Sequence, residues 1–298
     1  MGVLQSDIQA AIRAQTGKAL DYNGDWLALF DQAGIAYGDF NGRMLAYCNS
    51  RLGASYADLA QAQNAFAVSQ GYSNWASMGA PTFTLASQRL GSRLNGVSVD
   101  FTDMSMVIRD TTTPANAYSG SPSTKLLGTA LNTIAAGLSL GATDNVYLPT
   151  SAFPYSATAF TIIAEASTTA LTNNALLALN IGGAYGAGPG ALLRIQSNSL
   201  TVAAGNATAA SKAISPLLGS GEMIKAAACF RTSDNSVSVT NRGQAVATIT
   251  TGDWNGTSDR LQLGAITSGG VQALVGVLKW FVYLPEYNTA LAETMTAA

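Results

Sequence analysis

Residues 137–167 read GLSLGATDNVYLPTSAFPYSATAFTIIAEAS, and this stretch decides the fold class. Within it, Leu138–Leu140, Val146–Leu148 and Phe160–Ile162 each alternate apolar with polar residues. Successive side chains of a strand point to opposite faces of its sheet, so this alternation predicts strands with one buried face. The glycine, proline, aspartate and asparagine residues between the three segments are turn formers. The stretch therefore predicts short strands joined by turns.

The same pattern extends toward the C-terminal side. Leu200–Val202, Ser236–Val239 and Leu261–Leu263 also alternate, and Asn241-Arg242-Gly243 has the composition of a hairpin loop with glycine at a positive φ. Val275–Leu284 is nearly continuously apolar, which predicts a central strand covered on both faces. Many short strands without helices between them predict a β-sandwich rather than alternating β-α units.

Residues 1–80 carry a different pattern, typical of short helices. Glycines at positions 17, 34, 53 and 71 each follow an amphipathic stretch, as a glycine that ends a helix does. Asn41 precedes one apolar-periodic segment, and Ser55 with Asp58 approximates a capping box before another. The region predicts four helices and is denser in aromatic residues than the rest. Its aromatic excess fits an interface with another subunit or with the second domain.

Pro81 disfavours helix at the residue before it and marks the predicted domain boundary. We expect a helical anchoring or oligomerisation domain over residues 1–80 and a β-sandwich over residues 81–298. Residues 81–120 are interpreted either as a linker or as part of the sandwich.

Composition excludes several classes of function. The 298 residues include 15 basic and 17 acidic side chains, for a net charge of −2, so no basic footprint for nucleic acid exists. There is no histidine, which removes Ser-His-Asp and Cys-His catalysis. Cys48 and Cys229 have no spacing signature, and they fit two free buried thiols or a disulfide.

The sequence also predicts neither a signal peptide nor a membrane span. Residues 1–7 lack the charged and apolar regions of a signal peptide, so we expect none. The longest apolar run, Val271–Leu284, is too short to span a bilayer and contains Lys279. We therefore expect no membrane insertion.

Three passages together resemble the concanavalin A-like, or laminin-G-like, jelly-roll family. They are residues 137–167, residues 236–250 (SVSVTNRGQAVATIT) and residues 260–298, which look like the closing strand pair and C-terminal helix of that family. The lead-in at residues 106–120 (MVIRDTTTPANAYSG) is similar to that of domains in tailed-phage virion proteins. The resemblance implies a mainly β protein, a jelly-roll β-sandwich preceded by a small N-terminal α-helical domain.

The resemblance also directs attention to carboxylates and to calcium. Glycoside hydrolases of this fold use an E-x-D-x-x-E run that places two carboxylates on one face of a strand. Here Glu165 is followed by residues 166–170 (ASTTA), which supply no partner, so we expect no enzyme. Calcium occurs in relatives, and Asp144 and Asn145 are its candidate ligands. No clustered acidic loop accompanies them, so we expect no cofactor.

Sugar binding needs an aromatic ring for the apolar face of a pyranose and amides or carboxylates for its hydroxyls. Asp253-Trp254-Asn255, in a glycine-flanked loop, has this chemistry, and Tyr185 lies in a glycine-rich segment. We name Asp253, Trp254, Asn255 and Tyr185 as candidate carbohydrate-binding residues. The other interpretation of Trp254 is a loop aromatic folded on the sandwich edge or buried against a neighbouring subunit. Trp280 and Tyr283 are predicted to belong to the core.

The resemblance implies a structural protein of a phage virion, a fibre or appendage with a lectin-like domain that attaches to a host-surface glycan. The alternatives are a purely architectural head, neck or tail decoration protein and a glycan-active enzyme. Expected partners are other virion proteins, through residues 1–80, and copies of the chain itself in a homotrimer. The expected location is the virion, after synthesis in the bacterial host cytoplasm.

Overall fold

The chain forms two compact units, Met1–Leu94 and Asn95–Ala298. The predicted boundary at residue 81 falls outside the described residues and stays a prediction. The computed structural model describes residues 26, 30, 33–35, 38–78, 85–90, 94–110, 112–113, 116–128, 130–170, 174–180, 190–197, 199–204, 210–250, 256–265 and 273–297.

The first unit is helical. Its helices include α1 (Phe40–Leu52), α2 (Leu59–Ser69), α3 (Trp75–Met78) and α4 (Leu85–Leu90). Of the helices predicted before residue 40, only Trp26 and Phe30 are described within a helix.

Side-chain caps fix where two of these helices begin. The capping-box prediction is wrong in its register, because Asp58 rather than Ser55 is the cap of α2, and its carboxylate accepts a hydrogen bond from the Gln61 amide at 2.8 Å. The prediction that α1 begins after Asn41 is wrong, because Asp39 is the cap and accepts from the Gly42 amide at 2.9 Å. Gly53, with φ of 60°, ends α1 as predicted.

Aromatic side chains make the core of the helical unit. Trp26 lies with its ring centroid 6.0 Å from that of Tyr47, and Tyr47 makes an edge contact with Phe66 at 5.5 Å. Cys48 is free and buried in the same cluster, and burial raises the pKa of its thiol to about 11.

The second unit is a sandwich of two antiparallel sheets, so the predicted fold class is confirmed. The larger sheet has the order β15-β14-β13-β8-β17-β1-β2-β3, with β6 paired to β17 and β5. The smaller has the order β12-β11-β10-β9-β16-β7-β4. Because β1, β2 and β3 belong to the larger sheet, these parts of residues 81–120 are sandwich rather than linker. The strands are β1 (Gly96–Asp100), β2 (Ser105–Arg109), β3 (Tyr118–Gly120), β4 (Leu127–Gly128), β5 (Thr133–Ile134), β6 (Gly137–Leu140), β7 (Val146–Pro149), β8 (Ala159–Thr168), β9 (Asn174–Asn180), β10 (Ala191–Gln196), β11 (Ser199–Ala204), β12 (Ala210–Ala213), β13 (Met223–Arg231), β14 (Ser236–Asn241), β15 (Ala247–Ile249), β16 (Arg260–Leu263) and β17 (Gly276–Leu284).

The strand β17 lies centrally in the larger sheet, as its apolar sequence predicts. It pairs with β8 on one side and with β1 and β6 on the other. Tyr283 is part of the core between the sheets, where its ring stacks on Phe160 at 5.7 Å. Trp280 is buried as predicted, but it lies outside the cluster between the sheets. Its neighbour Phe281 takes the core side, which leaves Trp280 on the outer face of the sheet.

A C-terminal helix, α5 (Thr289–Ala297), packs against the strands β13 and β14. Its Glu293 carboxylate accepts from the Val246 amide at 2.8 Å, and its Thr296 hydroxyl accepts from the Gly243 amide at 3.2 Å. Both amides lie between β14 and β15, and Gly243, the glycine of the predicted hairpin loop, has φ of +67°. Cys229 on β13 is free, and burial raises the pKa of its thiol to about 11. The disulfide alternative is therefore wrong.

Among the helices that the structure describes, none is long and apolar enough to cross a membrane.

Candidate functional site

The candidate sugar-binding residues Tyr185, Asp253, Trp254 and Asn255 lie outside the described residues. The strands that flank them are described. Residues 181–189 follow β9, which ends at Asn180, and residues 251–255 precede β16, which begins at Arg260. Arg260 and Asn180 are directly paired across these two strands. Both segments therefore join the smaller sheet at the same end.

The chain just after residue 255 is held firmly to the sandwich. The Tyr155 hydroxyl donates to the Gly256 carbonyl at 2.6 Å, and the Thr150 amide donates to the Asp259 carbonyl at 2.8 Å. Gly256 has φ of +78°, and a Cβ there would lie 2.0 Å from the Ala157 carbonyl oxygen. The approach is too close for any other residue type, so glycine is required where the segment meets the sandwich.

Two phenols, the partly buried Tyr155 and the fully buried Tyr283, lie near the contact with Gly256. The rings of Tyr155 and Tyr283 stack with centroids 6.4 Å apart, and the Tyr283 hydroxyl accepts from the Ser156 amide at 3.0 Å. Burial raises the pKa of both phenols. Each therefore stays neutral at physiological pH, and Tyr155 keeps the proton that it donates to the Gly256 carbonyl.

An arginine and a tyrosine lie together on the outer face of the smaller sheet. Leu261 and Leu263 point into the core, so Arg260 on the same strand points outward. Its guanidinium carbon is 4.4 Å from the centroid of the Tyr147 ring. Its Nε donates to Asp259 Oδ1 at 3.0 Å. The arrangement is a partly exposed polar group at the start of β16.

Sequence reasoning missed this group, although a signal for it was present. The alternation in RLQL (residues 260–263) and VYLP (residues 146–149) places Arg260 and Tyr147 on outer faces. Their contact depends on which strands are neighbours and in which register, because they are diagonal across β16 and β7.

Gln262 is the next outward residue of β16 and is fully buried. Its Nε2 donates to Asn145 Oδ1 at 2.9 Å and to the Val146 carbonyl at 3.2 Å. Asp144 accepts from the Gly141 amide at 2.8 Å. Both candidate calcium ligands thus take part in protein hydrogen bonds. Within the described ranges, no group of three histidine, cysteine, aspartate or glutamate residues could hold a metal ion.

Glu165 is an ion-paired carboxylate on the outer face of the larger sheet. Its Oε1 accepts from Lys279 Nζ at 3.0 Å, and its Oε2 accepts from Trp280 Nε1. The residues in register with it on the neighbouring strands are Lys225 and Trp280. Its cross-strand neighbours therefore include no second carboxylate, which a two-carboxylate glycosidase site requires.

No family model and no curated protein matches the chain. Among solved structures it is similar to the Ruminococcus gnavus IT-sialidase CBM40 bound to alpha2,3 sialyllactose, with 13% identity and a TM-score of 0.44, over 58% of this chain and 98% of that one. It is also similar to the Trypanosoma rangeli sialidase, with 14% identity and a TM-score of 0.47, over 74% of this chain and 34% of that one. These likenesses concern the β-sandwich fold.

Proposed function

We propose that the β-sandwich is a non-catalytic glycan-binding module of a phage virion protein and that it attaches the particle to a host surface. The observation that carries the proposal is the direct pairing of Arg260 with Asn180. It joins both candidate sugar-binding segments to one end of one sheet.

The chemistry of the two segments supports this function. Trp254 and Tyr185 supply rings for the apolar face of a sugar, and Asp253 and Asn255 supply polar groups for its hydroxyls. Aromatic side chains offer large apolar area with few rotatable bonds, which keeps the entropic cost of binding low.

The test uses the fluorescently labelled full chain on a panel of bacterial cells, with Trp254→Ala and Tyr185→Ala beside it. We expect saturable binding that both substitutions abolish. The control is Leu217→Ala, because Leu217 is 71% exposed and follows β12 at the opposite end of the smaller sheet. Saturable binding that survives both substitutions overturns the site. Absence of binding while the chain still assembles on particles favours the architectural alternative.

The helical unit is proposed to hold the module on the particle as a homotrimer that also contacts other virion proteins. Its exposed apolar side chains Tyr56, Val68 and Tyr72 support this role, because such side chains gain from burial in an interface. Light scattering of the full chain should give about three times the monomer mass. A mass of 30.6 kDa, that of one chain, contradicts the trimer.

A further inference from the structure

Arg260 has a hydrogen-bonding edge that no described residue contacts. A guanidinium carries five N–H donors in a planar fork, and the hydrogen bond with Asp259 uses the one on Nε. The terminal nitrogens Nη1 and Nη2 have no partner among the described residues. The side chain is 18% exposed, so solvent or a ligand reaches it.

A second arginine of the sandwich uses more of its donors than Arg260 does. Arg231 also lies 4.4 Å from the centroid of a tyrosine ring, that of Tyr287, and also pairs with a nearby aspartate. Its Nε and Nη2 both donate to Asp234, at 3.0 Å and 2.6 Å. This bidentate pair uses two of the five N–H donors, whereas the described contacts of Arg260 use one. The two sites thus share their construction and differ in available donors.

Stacking on Tyr147 holds the open edge of Arg260 in place. The guanidinium lies on the aromatic ring and its Nε is hydrogen-bonded to Asp259, so the side chain has lost most of its rotamer freedom before a ligand binds. Leu127 is directly paired with Tyr147 on the same face and is 47% exposed. Fixed donors therefore lie near an exposed apolar side chain, a combination that suits a sugar with one apolar face and a rim of hydroxyls.

The charge of this group distinguishes between classes of sugar. Arg260 and Asp259 sum to zero, and the Asp259 side chain is 47% exposed. An uncharged sugar can accept from the guanidinium with one hydroxyl and donate to the carboxylate with its neighbour, because a carboxylate accepts several hydrogen bonds. A sugar that carries its own carboxylate is attracted by Arg260 but repelled by Asp259, so most of its electrostatic advantage is lost.

We infer that Arg260 contacts the glycan directly and that the ligand is an uncharged sugar with adjacent hydroxyls rather than an acidic sugar. This inference rests on the proposed function, because it names the ligand class of the same site. Tyr147 is a positioning residue, which acts by holding the Arg260 fork, whereas Asp259 both holds the fork and accepts a hydrogen bond from the sugar.

The test measures the affinity of the full chain for lactose, maltose, cellobiose and sialyllactose by titration calorimetry. Lactose and sialyllactose form a matched pair that differs by one acidic sugar. We expect at least one neutral disaccharide to bind tenfold or more tightly than sialyllactose. Arg260→Lys, which keeps the charge and removes the fork, should weaken that binding at least tenfold and leave the thermal unfolding midpoint unchanged. Arg231→Lys is the control and should bind as the natural chain does.

The outcomes separate this inference from the proposed function. Binding that Trp254→Ala abolishes and Arg260→Lys leaves unchanged overturns the role of Arg260, while the proposed function stands. Tighter binding of sialyllactose than of lactose overturns the ligand class. Absence of binding to all four sugars and to cells overturns both.

Discussion

Replacing Glu165 by glutamine should destabilise the sandwich, because one buried carboxylate serves two donors. Glu165 is 8% exposed and accepts from both Lys279 and Trp280. Glutamine keeps one carbonyl acceptor and turns an N–H₂ group toward the other donor, so one charge-assisted hydrogen bond is lost.

The expected loss follows from the energy of such a bond. A hydrogen bond to a charged group contributes about 1.5–3 kcal/mol. Since Lys279 is 35% exposed and water partly replaces its partner, we expect a loss of about 2 kcal/mol in the free energy of unfolding. This corresponds to a roughly 30-fold change in the unfolding equilibrium constant. Urea denaturation followed by circular dichroism measures it.

The chain offers a matched control and a double-mutant cycle. Glu222→Gln makes the same substitution in an exposed pair with Arg242, where the Glu222 side chain is 47% exposed, and should cost less than about 1 kcal/mol. In a Lys279→Met background, Glu165→Gln should cost less than in the natural chain, because the two residues are coupled. Equal losses for Glu165→Gln and Glu222→Gln, or no coupling with Lys279, would refute the reasoning.

Three further perturbations have defined outcomes. Gly256→Ala should lower the free energy of unfolding by about 2 kcal/mol or more, because the added Cβ meets the Ala157 carbonyl. The control is Gly221→Ala, which has φ of +79° and open space around it and should cost about 1 kcal/mol. Equal costs in urea denaturation would contradict the close approach of Gly256 to Ala157. Tyr283→Phe leaves the Ser156 amide without its acceptor and should cost about 1–3 kcal/mol, whereas Tyr72→Phe, at an exposed phenol, should leave the thermal unfolding midpoint unchanged. Burial raises the pKa values of two thiols and two phenols, those of Cys48, Cys229, Tyr155 and Tyr283. The stability that these neutral groups contribute is fully present below their pKa values in the unfolded chain and is lost as the pH rises above them. The thermal unfolding midpoint should therefore fall above about pH 9, and a constant midpoint up to about pH 11 would contradict this.

Alternation along the chain predicted the strands that have one apolar face. It did not predict β9, because the outward residues Ala175 and Ala178 of that strand are apolar too, and it was overlooked in β10, where residues 193–196 (LRIQ) do alternate. Ala178 and Leu192 are directly paired on the outer face of the smaller sheet and are fully buried. A strand with two apolar faces shows no period of two, and a short apolar run does not distinguish a strand from a buried helix.

The composition of the loops identified the residues of the candidate site. The strand order showed that the segments carrying them join the smaller sheet at the same end. Trp254 and Tyr185 were chosen because their neighbours are glycine and polar residues. That their segments share one end of a sheet follows from the pairing of β16 with β9. Strand order in an antiparallel sheet depends on contacts between distant parts of the chain. A local sequence pattern does not predict which distant strands will pair.

The position of β17 has a consequence for biosynthesis. It comes last among the strands, yet it lies between β8 and β1 and cannot be replaced by another strand. A nascent chain that has grown to residue 275 therefore carries two unpaired sheet edges, which are templates for aggregation. The larger sheet closes only when residues 276–284 have left the ribosome, and an interrupted translation product ending before Gly276 should be captured by chaperones or proteases rather than accumulate as a folded fragment.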